Sequence, residues 1–494
     1  MKRVLLGAGL ILLALVAVMV VRTARFGAPA AMTSAAPAAA PPIAIDTAAA
    51  ARDLSGAVRF PTVSFASGGP IDTAAFLGLH RYLEQAFPLV HAALRRELVA
   101  GLSLVYTWQG ADPALPPVVL MGHMDVVPVP EPNLPEWQHP PFSGDIADGF
   151  VWGRGTLDDK ITVLSVLEAV EGLLKAGYHP ARTIYLTFGH DEEVSGRYGA
   201  RAIVAKLVAE GVKPALVLDE GGFMGAGILP GLSRRAALVG IAEKGYVSLR
   251  LKAEAPGGHS SMPGDRTAIG ALSRAIVRLE AHPFPLALEG PTRGMVEAMA
   301  PYMPFARRFL IANLWLTAPL VSRSLAQSPL GAALLHTTTA PTMLQAGIKD
   351  NVLPPEASAV VNFRILPGET IASVTERVRR VVDDGRISVG PLDSVPADPS
   401  PISDVASPAY RLVAGTIAAM APGEGLPVIP YLVMGGTDSK YWGAHSDRVF
   451  RFLAVPLAAG DEKRIHGVNE RVAVADLAAS IGFFTRLIRG ADKL

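Results

Sequence analysis

Three short runs in this chain hold side chains that could do chemistry together: Gly122-His123-Met124-Asp125, Thr156-Leu157-Asp158-Asp159-Lys160 and Asp191-Glu192-Glu193. Two adjacent glutamates after an apolar run can place one carboxylate on a metal ion and leave the other as a general base. Such a base must reach the attacking water without itself being a ligand. His123 and Asp125 alternate at a strand end, so their side chains share a face. A metal-bound imidazole usually donates its second N–H to a carboxylate, which makes Asp125 the expected partner of His123. A carboxylate lying between two cations can bridge them with one oxygen each. An Asp just ahead of a helix also reads as an N-cap, so in Asp158-Asp159 one residue can bridge and the other cap. Asp219, in Leu218-Asp219-Glu220-Gly221-Gly222, adds a strand-end carboxylate, and His466, in Arg464-Ile465-His466-Gly467, a distant nitrogen. Each alone reads as an ordinary loop residue; together they form most of a two-metal hydrolase site, whose ions lie roughly 3.5–4 Å apart.

These residues need a rigid frame, and the pattern around them supplies one. Val118-Val119-Leu120 is a strand running into the His-Met-Asp loop, and Thr183 to Phe188 is a strand ending before Asp191. Ala215 to Leu218 is another, and Ile161 to Lys175 carries apolar residues at helical spacing. Strand–helix alternation of this kind predicts an α/β sheet covered by helices. Every chemical run then follows the carboxyl end of a strand, where open α/β sheets bind their ligands. After Lys244 the pattern changes to half-exposed strands, Tyr246 to Lys252 and Ala357 to Arg364, with a Gly-Gly-His loop and a helical region, Arg266 to Leu279, between them. This predicts an inserted α+β unit. Within it, Met295 to Leu335 is unusually apolar. It reads as the buried helices of a large lid, or as a hydrophobic substrate groove or membrane-facing surface.

A chain of 494 residues implies more than one domain. With 45 basic and 44 acidic residues, net charge +1, and no basic block, nucleic acid is not an expected partner. The absence of cysteine excludes thiolate ligands, Cys nucleophiles and disulfides, so any metal must sit on His, Asp and Glu. At the N-terminus, Lys2 and Arg3 precede an uncharged apolar run from Val4 to Val21, closed by Arg22 and Arg25. Eighteen helical residues span roughly 27 Å, enough to cross a hydrocarbon core. An uncleaved signal-anchor fits this length better than a cleaved signal, although Ala28-Pro29-Ala30 leaves cleavage and secretion open. The catalytic body is expected outside the cytoplasm. The following Ala/Pro stretch reads as an extended tether.

The segments GHMDVVPV, WGRGTLDDK, GHDEEVSG, LDEGG, EKGYVSLRL, GGHSSMP, KDNVLP, VNFRILPG, GGTDSKYW and RIHGVNER resemble, in family order from about Arg59 onward, the zinc exopeptidases. That family includes carboxypeptidase S, the glutamate carboxypeptidases, aminoacylase and succinyl-diaminopimelate desuccinylase. The resemblance is closest to the branch of carboxypeptidase S and the N-fatty-acyl amino acid hydrolases. It implies two Zn2+ ions: one on His123 and Asp219, the other on Glu193 and His466, with Asp158 bridging. Glu192 would be the general base and Asp125 the partner of His123. His259 would reach from the lid to the scissile carbonyl, in some relatives across a dimer. Arg364 and Asn351 would grip the substrate's carboxylate, a task suited to a guanidinium.

The implied fold is a mixed-sheet α/β catalytic domain with an inserted smaller α+β lid and dimerisation domain. Its expected layout is 1–26 anchor or signal, 27–51 linker, 52–242 first catalytic part, 243–366 lid and 367–494 second catalytic part. The implied reaction is hydrolysis of an amide next to a free carboxylate, in a peptide or an N-acyl amino acid. Two rivals are an aminopeptidase or dipeptidase with the same metal site, and a membrane-tethered binding protein that has lost activity. The first would lack a lid carrying His259 and Arg364; the second would lack Glu192 or a ligand.

Overall fold

The computed structural model describes residues 2–27, 43–65, 69–229, 231–392, 395–458 and 460–494. The Ala/Pro tether and Ala28-Pro29-Ala30 fall almost wholly outside the described residues.

Short runs of aliphatic residues between amphipathic helices build a ten-stranded mixed sheet. Its order is Arg95–Val99, Ser103–Trp108, Ile184–Gly189, Val118–His123, Leu216–Asp219, Val449–Arg451, Arg235–Glu243, Met224–Ala226 and Pro456–Leu457, with Val428–Val433 also pairing to Arg235–Glu243. Ile184–Gly189, Val118–His123 and Leu216–Asp219 run parallel, with His123 opposite Gly189 and Leu120 opposite Leu218. Parallel strands are covered on both faces, which is why these read as continuous apolar runs. Lys160–Lys175 packs on one face with Thr47–Val58 and Val474–Ala491, and Ala200–Ala209 packs on the other. The carboxyl ends of the three strands therefore open at one edge of the sheet.

A second, antiparallel sheet is ordered Thr338–Ala346, Glu356–Ile365, Gly245–Glu254 and Ile387–Pro391. Ala268–Ala281 and Ile371–Val382 pack on it through Leu272, Leu279, Val374 and Val378. The expected insert starts where this sheet does, but the end at residue 366 is too early. Ile387–Pro391 supplies an edge strand to Gly245–Glu254, so the unit runs on to Pro391.

The apolar stretch does not belong to this smaller sheet. Met295, Met299, Leu334 and Leu335 instead bury themselves against Leu238, Ala242, Ile429 and Tyr431 of the main sheet. Hydrophobicity alone could not say which of two sheets the helices would cover. The tether is likewise shorter than expected. Asp46 caps a helix that begins at Thr47, and Ala50 and Ala51 lie in the core. Lys2–Arg25 forms one helix, long and apolar enough to cross a membrane, whose last turns rest on the body.

Candidate metal centre

Each side chain of the expected site arrives from a strand end or from a loop tied to one. His123 closes its strand, and its Nδ1 lies 3.0 Å from the Asp125 carbonyl and 3.3 Å from Asp125 Oδ1. A carbonyl only accepts, so Nδ1 carries hydrogen and Nε2 turns to the site. There Nε2 lies 3.0 Å from Asp158 Oδ1 and 3.4 Å from Glu220 Oε1. On the far side of Asp158, Oδ2 is 2.9 Å from His466 Nε2, which is 3.1 Å from Glu193 Oε2. One carboxylate thus offers an oxygen to each of two groups, His123–Asp158–Glu220 and Asp158–Glu193–His466, each compact enough to hold a metal ion.

Asp125 does more than orient an imidazole. Its two oxygens accept the backbone N–H groups of Glu192 and Glu193, both at 3.1 Å, and so fix the turn that presents the paired glutamates. No donor among the described residues engages the Glu192 carboxylate, which belongs to neither group. Asp438, from the Gly435-Gly436-Thr437-Asp438 loop, lies beside it. A methyl at Gly189 or Gly196 would collide with Asp438, so both glycines of the paired-glutamate segment make room for that side chain.

Asp219 does not take its expected place. Its carboxylate is buried and accepts the Ser439 N–H at 2.8 Å, bracing the loop that carries Asp438. Glu220, one residue on, points to His123 instead. Neighbouring residues on a strand face opposite sides, and the sequence alone does not reveal which of two adjacent carboxylates turns inward.

A buried ion pair underlies the whole arrangement. Arg154 Nη1 donates to Glu470 Oε2 at 2.5 Å, and Arg154 Nη2 donates to the carbonyls of His466 and Gly467 at 3.1 and 3.0 Å. Glu470 Oε1 accepts the N–H groups of Gly155, Leu157 and Asp158 at 3.0, 2.8 and 3.2 Å. The loop of the bridging Asp158 and the loop of His466 are thereby tied together. Gly155 sits at φ 89°, a conformation that a side chain would strain.

The electrostatics suit cations. Burial opposes charging of His123, yet Asp125, Asp158 and Glu220 hold its pKa well above the ordinary value. Hydrogen bonds to Asp158 and Glu193 lift His466 to about 10. Burial, and then the charge of Asp158, push Glu220 up to about 8, and burial raises Glu192 well above its usual range. Carboxylates outnumber imidazoles here, and Glu193 Oε1 is buried with no hydrogen-bond partner. Such an excess of negative charge is what divalent ions neutralise, and the imidazole and carboxylate donors fit them.

The three expected substrate residues stand elsewhere, Arg364 on the smaller sheet and His259 and Asn351 on or beside a separate two-stranded ribbon, Gly258–His259 with Val352–Leu353. His259 is exposed, and its Nδ1 accepts the Ser261 N–H at 3.1 Å. Asn351 is exposed, and its carbonyl accepts the Ser260 N–H at 3.2 Å. Arg364 lies over the Tyr246 ring, 4.9 Å from its centre. None of the three contacts the metal centre.

Residues 119–490 match the model of peptidase family M20/M25/M40. This chain belongs to that family. Family membership makes it a metal-dependent hydrolase of amide bonds. It is 41% identical over 443 residues, 89% of this chain and 85% of the relative, to "N-fatty-acyl-amino acid synthase/hydrolase PM20D1" of Xenopus tropicalis. It is 39% identical over 447 residues, 90% of this chain and 85% of the relative, to "Probable carboxypeptidase S-like 2" of Dictyostelium discoideum. Among solved structures, an M20 family metallo-carboxypeptidase of Sulfolobus solfataricus superposes with a TM-score of 0.64 at 18% identity, covering 90% of this chain and 99% of that one. Human carnosine dipeptidase 1 gives 0.63 at 15% identity, covering 92% and 100%. These two show the fold: a mixed-sheet catalytic domain with an inserted unit.

Sequence reasoning missed Glu220, Asp438, Arg154 and Glu470 in their roles. All four lie within or beside the quoted motifs. Glu470 follows His466 by four residues, and Arg154 precedes Asp158 by four.

Proposed function

We propose that this chain hydrolyses the amide of N-acyl amino acids, with peptides bearing a free C-terminal carboxylate as its second substrate class. The observation that carries this reading is Asp158, whose two oxygens face two His–carboxylate groups beside a glutamate that belongs to neither. His123, Asp158 and Glu220 would hold one ion, and Asp158, Glu193 and His466 the other. Two Zn2+ are proposed, on nitrogen and oxygen donors. When bound, such a pair polarises the amide carbonyl and acidifies a water molecule.

The chain's own residues handle the proton. Glu192, free of protein donors and with its pKa raised by burial, takes a proton from the attacking water and passes it to the leaving nitrogen. Asp125 keeps Glu192 in reach through the Glu192 N–H and holds the His123 ring in register. Arg364, with Asn351, would take the substrate carboxylate, and His259 the developing oxyanion, when the inserted unit closes. Arg364 supports this: its guanidinium rests on Tyr246 and donates to no acceptor among the described residues. The same unit is the proposed dimerisation surface.

The acyl chain would enter an apolar pocket of about 580 Å³ lined by Val63, Phe65, Pro128, Val129, Leu134 and Phe142. Pro128 and Val129 lie just beyond Asp125 in the chain, and the volume falls within the range of ligand sites. The N-terminal helix is proposed to remain as an anchor, with the catalytic body outside the cytoplasm.

A panel of N-acyl amino acids of increasing chain length, run against dipeptides on zinc-loaded enzyme, tests the substrate class. Faster turnover of dipeptides would overturn it. Glu192→Gln should lower kcat at least 100-fold, the usual worth of a general base. Unchanged turnover would remove Glu192 from its role.

A further inference from the structure

We propose that the helices Phe305–Ala312 and Leu314–Leu325 lie flat in the surface of the same membrane that the N-terminal helix enters, embedding their apolar face among the lipids. This rests on the anchor remaining attached, and the test separates the two ideas.

The N-terminal helix is almost entirely exposed until its last turns, where it meets Phe305–Ala312. There Thr23 is fully buried and Met19 nearly so. Asn313 is fully buried, and its Nδ2 donates to the Met19 carbonyl at 3.2 Å and to Thr23 Oγ1 at 3.3 Å. Arg22 Nε donates to the Ala312 carbonyl at 3.4 Å, and Phe26 packs among the apolar side chains beneath. Asn313 Nδ2 also donates to the Phe309 carbonyl at 2.8 Å, so Met19 and Thr23 are seated on a side chain that the body itself positions. A disposable leader has no reason to bury two residues there.

Position follows from length. The apolar segment Leu5–Arg25 has 21 residues, about 32 Å at the helical rise, hardly more than a hydrocarbon core of roughly 30 Å. To span it, the helix must use nearly its whole length, so Arg22 and Arg25 stand at the membrane boundary. Ala312 and Asn313 touch Met19, Arg22 and Thr23 and must stand there too.

The surface found at that level is the one a bilayer would cover. Phe305, Trp315, Leu316 and Leu320 are 53%, 55%, 49% and 55% exposed. Leu314 and Val321, on the opposite side of the second helix, are buried in the body. Between Glu297 and Asp350 the chain has no acidic residue, whereas Arg307, Arg308 and Arg323 lie on these two helices. Aromatic and aliphatic side chains flanked by arginines are the make-up of a helix lying in the interface of an anionic membrane. At 12 residues, Leu314–Leu325 is about 18 Å long, too short to cross.

The chain brings its own probes. Of its five tryptophans, Trp108, Trp137, Trp152 and Trp442 are buried and Trp315 is exposed. The chain also has no cysteine, so a single introduced one can be labelled cleanly. The full-length protein would be reconstituted into phosphatidylcholine–phosphatidylglycerol vesicles whose acyl chains are brominated. Fluorescence quenching would then be compared between the native chain and Trp315→Phe. We expect Trp315 to lose half or more of its emission, seen as a quenched component that Trp315→Phe lacks. Equal quenching in both would overturn the proposal. A nitroxide on Leu320→Cys should be reached by oxygen and shielded from a water-soluble nickel complex. The reverse is expected for Val277→Cys, which is exposed on the smaller unit. Water-like accessibility at both sites, with the intact mass showing the N-terminal helix present, would overturn this proposal alone. An intact mass lacking the first 25 residues would overturn the anchor and this proposal together.

Discussion

Removing the charge of Glu470 should loosen both halves of the metal centre at once. The side chain is fully buried, and through Arg154 and three backbone N–H groups it ties the Asp158 loop to the His466 loop. Deleting one partner of a buried ion pair costs about 3–5 kcal/mol, because the remaining charge stays in a poor solvent. Glu470→Ala also strands three N–H groups, each worth about 1–3 kcal/mol if it stays dry. Water entering the vacated space relieves part of that cost, so a loss of roughly 4–6 kcal/mol is expected. Glu470→Gln keeps an acceptor for the N–H groups and gives up only the charge, for about 3 kcal/mol. Domain stabilities of about 5–15 kcal/mol make both losses measurable by urea denaturation of the metal-free protein. Metal affinity, read by calorimetric titration with zinc, should fall about 10–100-fold in Glu470→Gln, as when other outer supports of ligands are lost. The double variant Arg154→Met/Glu470→Leu should lose less stability than the two single changes added together, since it leaves no unpaired charge. If Glu470→Gln unfolds within 1 kcal/mol of the native chain and binds zinc equally well, the pair is not what holds the two loops together.

Exchanging the two adjacent carboxylates should give opposite phenotypes. Glu220→Ala should lose one bound metal per chain by elemental analysis with its fold intact. Asp219→Ala should keep both metals but lose about 1–3 kcal/mol, through the stranded Ser439 N–H; the reverse pattern would return Asp219 to the ligand set. Leu134→Arg, at the mouth of the apolar pocket, should raise KM for long-chain N-acyl substrates at least tenfold and leave N-acetyl substrates unaffected; a uniform change would remove the pocket from substrate binding. Burial, and then Asp53, push Glu168 from its ordinary 4.5 to about 8. The folded chain therefore binds the extra proton between those values, and stability falls as pH rises through that window. Glu168→Gln should gain about 1–2 kcal/mol at pH 8, after allowance for screening at this partly exposed site, and almost nothing at pH 5; equal gains at both values would refute the assignment.

Much of the frame could be read directly. Aliphatic runs ending in Gly122-His123 and Phe188-Gly189 became neighbouring parallel strands, because a covered sheet demands apolar residues on both faces. The same local logic set the Lys160–Lys175 helix and placed the smaller sheet's first strand after Lys244. Motif order pointed to His123, Asp158, Glu193 and His466, because the chemistry needs those residue types wherever the chain brings them. Choices between equivalent neighbours were not legible. Which of Asp219 and Glu220 turns inward depends on strand phase, and which sheet receives Met295 to Leu335 depends on shape rather than hydrophobicity. The Arg154–Glu470 pair joins residues 316 positions apart. Local sequence determined the elements and the kinds of ligand. The meeting of distant loops, and the direction of each side chain within it, belonged to packing in three dimensions, where an unpaired buried charge costs too much to be left alone.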